Sequence, residues 1–390
     1  MTIAPGTDNI DPSDEPVYLD CNATTPIDPA VLEEVIHYLQ VDFGNAGSRT
    51  HTYGQRAKER VNRAREQVAA PAAAKPDEVI FTSGATESNN LAILGLEAAG
   101  RSSGRMHLVT TQIEHEAVLA PIRELVRRGF EVTEVAPSSE GCVSTTDVSA
   151  ALRDDTLLVS VMAANNETGV IQPTEEIADL LVGHDAFFHV DGSQAYGKLP
   201  RAFEHKRIDL ISISGHKIFA PKGVGALISR RRGYSRPPLH PRLIGGGQER
   251  GLRSGTLPVA LIAGLGTAVE LAILNYGDRV ARVMDTRHNL TRALSSLSVE
   301  FNGDPLKMLP HTLNFSVPGV DSEAAIVALK DLVAISNGSA CTSQRYEPSH
   351  VLTAMDLHPD RVAGALRFSW SHRTEEPDWD IVVDRLAQIR

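Results

Sequence analysis

The chain has 390 residues, 42% of them hydrophobic and 22% charged, with 38 basic against 49 acidic side chains and a net charge of −11. That is the composition of a globular protein of one large and one smaller domain, and its acidity argues against direct nucleic-acid binding. Its three cysteines, Cys21, Cys142 and Cys341, lie far apart with no Cys-x-x-Cys, which argues against a disulfide framework or a metal site and fits a reducing, cytoplasmic setting.

In chain order, the opening MTIAPGTDNIDPSDEP has no basic stretch leading into an apolar one, so no secretory signal is expected and it reads as a loose tail. From residue 79 short β-rich runs recur: VIFT (79–82), HLVT (107–110), EVTEV (131–135), LLVSVM (157–162), FFHVD (187–191), DLISIS (209–214) and GALIS (225–229). Helix-like stretches such as SNNLAILGLEAAG and VLAPIRELVRRG separate most of them. That alternation predicts an α/β fold, a mostly parallel seven-stranded sheet covered on both faces. The apolar run Val259–Leu274 is too short to span a bilayer and carries Glu270, so it reads as a buried helix and no membrane association is expected. Beyond residue 275, FNGD, TLNFSV and LRFSW suggest short strands of a separate α+β unit.

In parallel sheets ligands sit at the C-terminal strand ends. Five of the runs lead there into polar groups: Ser83-Gly84-Ala85-Thr86-Glu87, Thr111-Gln112-Ile113-Glu114-His115, Asn165-Asn166-Glu167, Asp191-Gly192-Ser193-Gln194 and Gly215-His216-Lys217. SGATES, between a strand and a helix, suits a phosphate seat, because small residues and a helix N-terminus favour an anion. Lys217, ending an apolar strand beside Ser214 and His216, reads either as a salt-bridged lysine or as a Schiff-base lysine. Asp191 either caps a turn or pairs with a protonated pyridine nitrogen. Gln194 suits a phenolic oxygen and His115 a ring to stack on. A lysine, an acid and a phosphate seat are what pyridoxal 5'-phosphate (PLP) requires. Arg367 could hold a carboxylate in bidentate fashion. The glycine-rich GGGQERGLRSGT (245–256) has Arg250 where a dinucleotide fingerprint needs glycine or alanine, and no strong β-run precedes it. Cys341 sits among small residues, NGSACTS, which suits a reactive thiol better than a packed one.

The landmarks GNAGSRTHTYGQRA, FTSGATESNN, TQIEHEAV, NNETGVIQP, HVDGSQAYG, SGHKIFAPKGVGAL, GGGQERGLRSGT and NGSACTS stand in an order that resembles the cysteine desulfurases, PLP enzymes of the class-V aminotransferases and of fold type I. The likeness runs from about residue 18 to residue 374, and the Cys341 loop is similar to that of the group I, long-loop type. It implies that residues 1–25 join a small domain, 26–274 form the PLP domain and 275–390 form the small domain with the cysteine loop. It further implies that Lys217 carries PLP as a Schiff base. Asp191 would pair with the ring nitrogen, Gln194 with the phenolic oxygen, and Asn166 would also contact the cofactor. His115 would stack and move protons. Ala85, Thr86, Ser214 and His216 would hold the phosphate, with Thr256 supplied by the other subunit of a homodimer. Asn45 and Arg367 would hold the carboxylate of L-cysteine, and Cys341 would accept sulfur.

Ala46-Gly47 and Trp370-Ser371-His372 depart from the usual family pattern. Alternative readings are selenocysteine lyase, another fold type I aminotransferase, or a non-catalytic sulfur-relay subunit. The sulfur acceptor expected is a protein, serving iron–sulfur cluster assembly or nucleic-acid thiolation, such as tRNA thiolation or DNA phosphorothioation.

Overall fold

The computed structural model describes residues 15–337 and 348–390, so Cys341 lies outside the described residues. Twelve strands occur among those described: β1 (Val17–Tyr18), β2 (Val79–Thr82), β3 (His107–Thr111), β4 (Glu131–Val135), β5 (Thr156–Met162), β6 (Phe187–Asp191), β7 (Leu210–Ser214), β8 (Gly225–Ser229), β9 (Glu300–Phe301), β10 (Thr312–Ser316), β11 (Val333–Ala334) and β12 (Ala365–Ser369). Seven of them form one sheet in the order β2-β8-β7-β6-β5-β3-β4. All seven predicted runs are strands, to within a residue at their ends.

The sheet is parallel except at β8, which runs antiparallel to both β7 and β2. This reversal has a consequence for function. Because β8 lies between them, β2 points the same way as β7, and the Ser83–Thr86 turn emerges at the edge where β3, β5, β6 and β7 end. Strands β2, β3, β5, β7 and β8 are buried along their whole length, as expected of strands with helices on both faces. Helix Val259–Leu274 forms as expected and buries most of its length against helices Pro29–Gln40 and Thr52–Ala69. No single helix among the described residues is long and apolar enough to cross a membrane. The GGGQERGLRSGT loop is tied to β2: the buried Glu249 accepts from Phe81 N (2.8 Å) and pairs with Arg65, and Arg250 Nη2 donates to Val79 O (2.7 Å).

A second sheet, β12-β10-β9, is antiparallel and packs with helices Tyr276–Leu294, Ser322–Leu329 and Trp379–Gln388. The chain start joins this region, because β1 pairs with β11 and Asp20 bridges to Ser369. Trp370 anchors its core: it is fully buried, and its indole Nε1 donates to Val283 O at 2.9 Å. Removing a buried indole leaves both a cavity and an orphaned carbonyl. Trp370→Ala is therefore expected to cost about 3–5 kcal/mol, seen as a lower denaturant midpoint at unchanged slope. A midpoint shift worth under about 1 kcal/mol would mean that the site collapses around the loss.

Candidate active site

The C-terminal strand ends open into a cleft of about 550 Å³. Its lining includes Ala85, Thr86, His115, Asn166, Asp191, Gln194, Ser214, His216, Lys217 and Arg367. Ten of the predicted site residues, scattered over almost 300 positions of sequence, are thus brought together. Asn45 and Thr256 do not line it. Asn45 is exposed in a loop, where its Oδ1 accepts from Gly47 N at 2.8 Å, and Thr256 is exposed at the end of the 245–256 loop.

Lys217 lies in the single turn that follows β7, and its Nζ donates to the carbonyls of Asn22 and of Ala23 (2.8 Å to the latter). Those carbonyls belong to the segment just after β1, so the small sheet helps to aim the amine. Asp191 is buried at the end of β6. Its Oδ2 accepts from Asn89 Nδ2 at 2.8 Å, and its Oδ1 accepts from Ser193 N (2.9 Å) and Ser193 Oγ (2.5 Å). Gln194 Nε2 donates to Asn22 O at 2.9 Å.

His115 is the N-cap of helix Glu116–Arg127, with Nδ1 accepting from Ala117 N at 3.0 Å. In the neutral ring, therefore, the proton sits on Nε2. The ring faces the open cleft, and the surrounding protein, followed by the charge on Lys217, lowers its pKa against the pull of Asp191. With Nδ1 engaged by Ala117 N, the group this neutral ring offers is the Nε2–H, a proton donor. His216, its Nδ1 3.1 Å from Thr24 Oγ1, is pushed down to about 4 by burial and by Lys217 and Lys222, so it too is neutral.

Gly84 makes the seat at the start of helix Ala85–Leu94 possible. Its φ of +153° belongs to glycine alone. Arg367, on β12, donates through Nη1 to Asn166 O (3.0 Å) and through Nη2 to Asp20 Oδ1 (2.6 Å).

Seven buried side-chain polar atoms have no hydrogen-bond partner among the described residues. Three of them, Gln194 Oε1, Asn89 Oδ1 and Arg367 Nε, belong to residues lining the cleft. Orphaned polar groups in a protein interior cost free energy and point to a bound polar molecule. An amine, a carboxylate fixed by three donors and a glycine-led helix N-terminus in a cleft of this size fit PLP.

A model of the aminotransferase class-V family matches residues 17–382. The chain is 44% identical over 374 residues to the cysteine desulfurase IscS of Vibrio vulnificus, covering 95% of this chain and 92% of the relative. The chain belongs to the class-V aminotransferases, among their cysteine desulfurases. Its fold is accordingly the PLP-dependent fold type I. Among solved structures, DndA from Streptomyces lividans is 50% identical with a TM-score of 0.80, over 90% of this chain and 98% of that one. SspA, solved in complex with cysteine, is 35% identical with a TM-score of 0.81, over 92% and 100%.

Several groups around this desulfurase site escaped sequence reasoning. Asn89 lies one turn into helix Ala85–Leu94, and nothing in SGATESNN marks it as the residue that holds Asp191. His189 sits two residues before Asp191, between Ser160 Oγ (2.8 Å) and Ser212 Oγ (3.0 Å), and burial brings it down to about 4. The buried Glu114 accepts from Met162 N and Thr111 Oγ1 (2.8 and 2.9 Å), and burial with the nearby Asp191 raises it to about 8. It is protonated at neutral pH and adds no second negative charge beside Asp191.

The family departures fall away from the cleft. Trp370, Ser371 and His372 line a separate cavity of about 60 Å³ with Cys21, Lys198 and His311. There the His372 ring meets the Phe219 ring edge-on at 4.9 Å.

Proposed function

We propose that this desulfurase takes sulfur from L-cysteine with PLP held by Lys217, Asp191, Gln194, Asn166 and the Ala85–Thr86, Ser214 and His216 seat, and that Cys341 accepts the sulfur. The single observation that carries the reading is the convergence of Lys217, Asp191 and His115 on one cleft with Arg367 at its wall. PLP, when bound, supplies an electron sink that weakens the bonds around the substrate Cα and Cβ. The chain supplies the rest. Arg367, already aimed by Asn166 O and Asp20, faces the substrate carboxylate, and Asn45 is the second carboxylate contact proposed. Lys217 Nζ and neutral His115 Nε2 are the groups positioned to move protons.

In the sulfur-transfer step the Cys341 thiolate attacks the substrate sulfur. The S–S bond forms as the carbon–sulfur bond breaks, and its electron pair passes to the substrate carbon, which is protonated. The net change is L-cysteine plus a thiol giving L-alanine plus a persulfide. The persulfide then passes to the thiol of an acceptor protein, in iron–sulfur assembly or nucleic-acid thiolation. The test is the purified protein with PLP and cysteine: stoichiometric alanine and a persulfide are expected, and pyruvate or transamination products in their place would reject the reading.

The working unit proposed is a homodimer, with domain boundaries near residues 25 and 274. Helix Pro29–Gln40 exposes Leu32, Ile36 and Leu39 along one stripe, next to Val41, Phe43 and Tyr53. A contiguous apolar surface of this kind marks an interface, and a second copy would bring Thr256 to the neighbouring phosphate seat. Sedimentation at micromolar concentration should give a dimer, and Leu39→Glu should shift it towards monomer with loss of activity. A fully active monomer would show that Thr256 has no such role.

A further inference from the structure

Both stems of the segment that carries Cys341 are fastened to the wall of the cleft. On the N-terminal side, Ser336 and Arg367 exchange two backbone hydrogen bonds, Arg367 N to Ser336 O at 2.6 Å and Ser336 N to Arg367 O at 3.3 Å. Arg367 is the residue whose guanidinium holds Asn166 O.

On the C-terminal side there are two attachments. Ser349, buried, donates from Oγ to Glu167 Oε2 at 2.5 Å, while the same Oγ accepts from Leu352 N at 3.1 Å as the N-cap of helix His350–Ala354. His350 Nε2 lies 3.0 Å from Glu114 O. Glu167 is the residue after Asn166 and Glu114 the residue before His115, so each attachment sits one position from a side chain that faces the cleft.

Glu167 feels the charges of His350 and Arg367, and Ser349 is the side chain that hydrogen-bonds its carboxyl. Glu167 is 1% exposed, its backbone N donates to Asn165 Oδ1 (2.9 Å) and its carbonyl accepts from Asn314 Nδ2 (3.1 Å). A buried carboxyl is costly unless it is hydrogen-bonded. The partner it has is the cap residue of the stem.

We propose that Glu167 and Ser349 act as positioning residues for sulfur transfer. They fix the C-terminal stem of the cysteine segment to the Asn166 end of the cleft, and so govern delivery of the Cys341 thiol to the substrate sulfur without acting on the earlier steps. This rests on Cys341 being the acceptor.

The experiment uses the PLP-loaded protein mixed with cysteine and followed in two ways: the change in the visible cofactor spectrum, and persulfide on Cys341 by mass spectrometry of alkylated peptides. For Ser349→Ala the spectral change should keep its parental rate, while persulfide formation slows about tenfold, the size of one lost hydrogen bond to a carboxyl group. Ser349→Thr restores the hydroxyl and should restore the rate. Glu167→Gln keeps an acceptor oxygen and should fall between, which gives a second measurement if either Ser349 variant melts below the parent. Unchanged persulfide formation in Ser349→Ala, or equal slowing of both signals, overturns the proposal. A Cys341→Ser control separates the two ideas: persulfide found on another cysteine would reject the acceptor reading itself, whatever Ser349 does.

Discussion

Lys217→Ala should abolish turnover and the covalent attachment of PLP. Losing a positioned proton-transfer group alone typically costs ~10²–10⁴-fold, and losing the attachment point as well should cost at least that. The phosphate seat remains, so some non-covalent binding of PLP is expected to survive. The check is borohydride reduction followed by peptide mass spectrometry, with the adduct expected on Lys217 in the parent and absent in the variant. The most serious rival is Lys198, whose amine is brought to about 7 by burial and by repulsion from Lys217. A neutral amine is a competent nucleophile, but Lys198 lines the small cavity behind the Cys21–Thr25 segment, with Nζ 3.2 Å from His311 Nε2. A reduced adduct on Lys198 or on the cleft-lining Lys222 would overturn the assignment.

Cys341→Ser should keep PLP and the early cysteine-dependent spectral changes yet release neither alanine nor sulfide. In the proposed mechanism Lys217 and His115 carry the early proton transfers, and a hydroxyl does not replace a thiolate towards sulfur. The other two cysteines offer no substitute. Cys21 is 2% exposed and burial pushes its thiol up to about 11, against the pull of Lys198. Cys142, half-buried in the turn before Val143, is also raised by burial. Both are therefore protonated at neutral pH. A serine scan of all three positions with mapping of the persulfide tests this. Normal alanine release by Cys341→Ser, or persulfide on Cys21 or Cys142, would sink the mechanism.

Strands were legible because all seven runs of the large sheet are short, apolar and flanked by polar turns, a pattern that local side-chain chemistry dictates. Lys217, Asp191 and His115 were legible for a related reason: each is a titratable group set at or just past the end of an apolar strand. Asn89, His189 and Glu114 were not. Asn89 is one polar residue in a polar helix start, and its role exists only because that helix docks over the end of β6. His189 is read from sequence as a polar interruption in an apolar strand, and it becomes intelligible only when Ser160 and Ser212 from β5 and β7 arrive on either side.

The amino-acid order by itself determined the α/β alternation, the buried helix at Val259–Leu274, the glycine that the Gly84 turn needs, and the set of polar groups that end the strands. These follow from periodicity and from the φ, ψ limits of single residues, which need no distant partner. Only the tertiary structure decided that β8 reverses and so turns β2 towards the common edge. It alone brought Asn22 and Ala23 from the chain start against Lys217, and Arg367 from β12 to the wall of the same cleft. It also placed Trp370, Ser371 and His372 at a cavity on the other side. Those outcomes depend on which apolar faces pack together across more than 300 residues of chain, and no local pattern encodes a contact whose two halves lie so far apart.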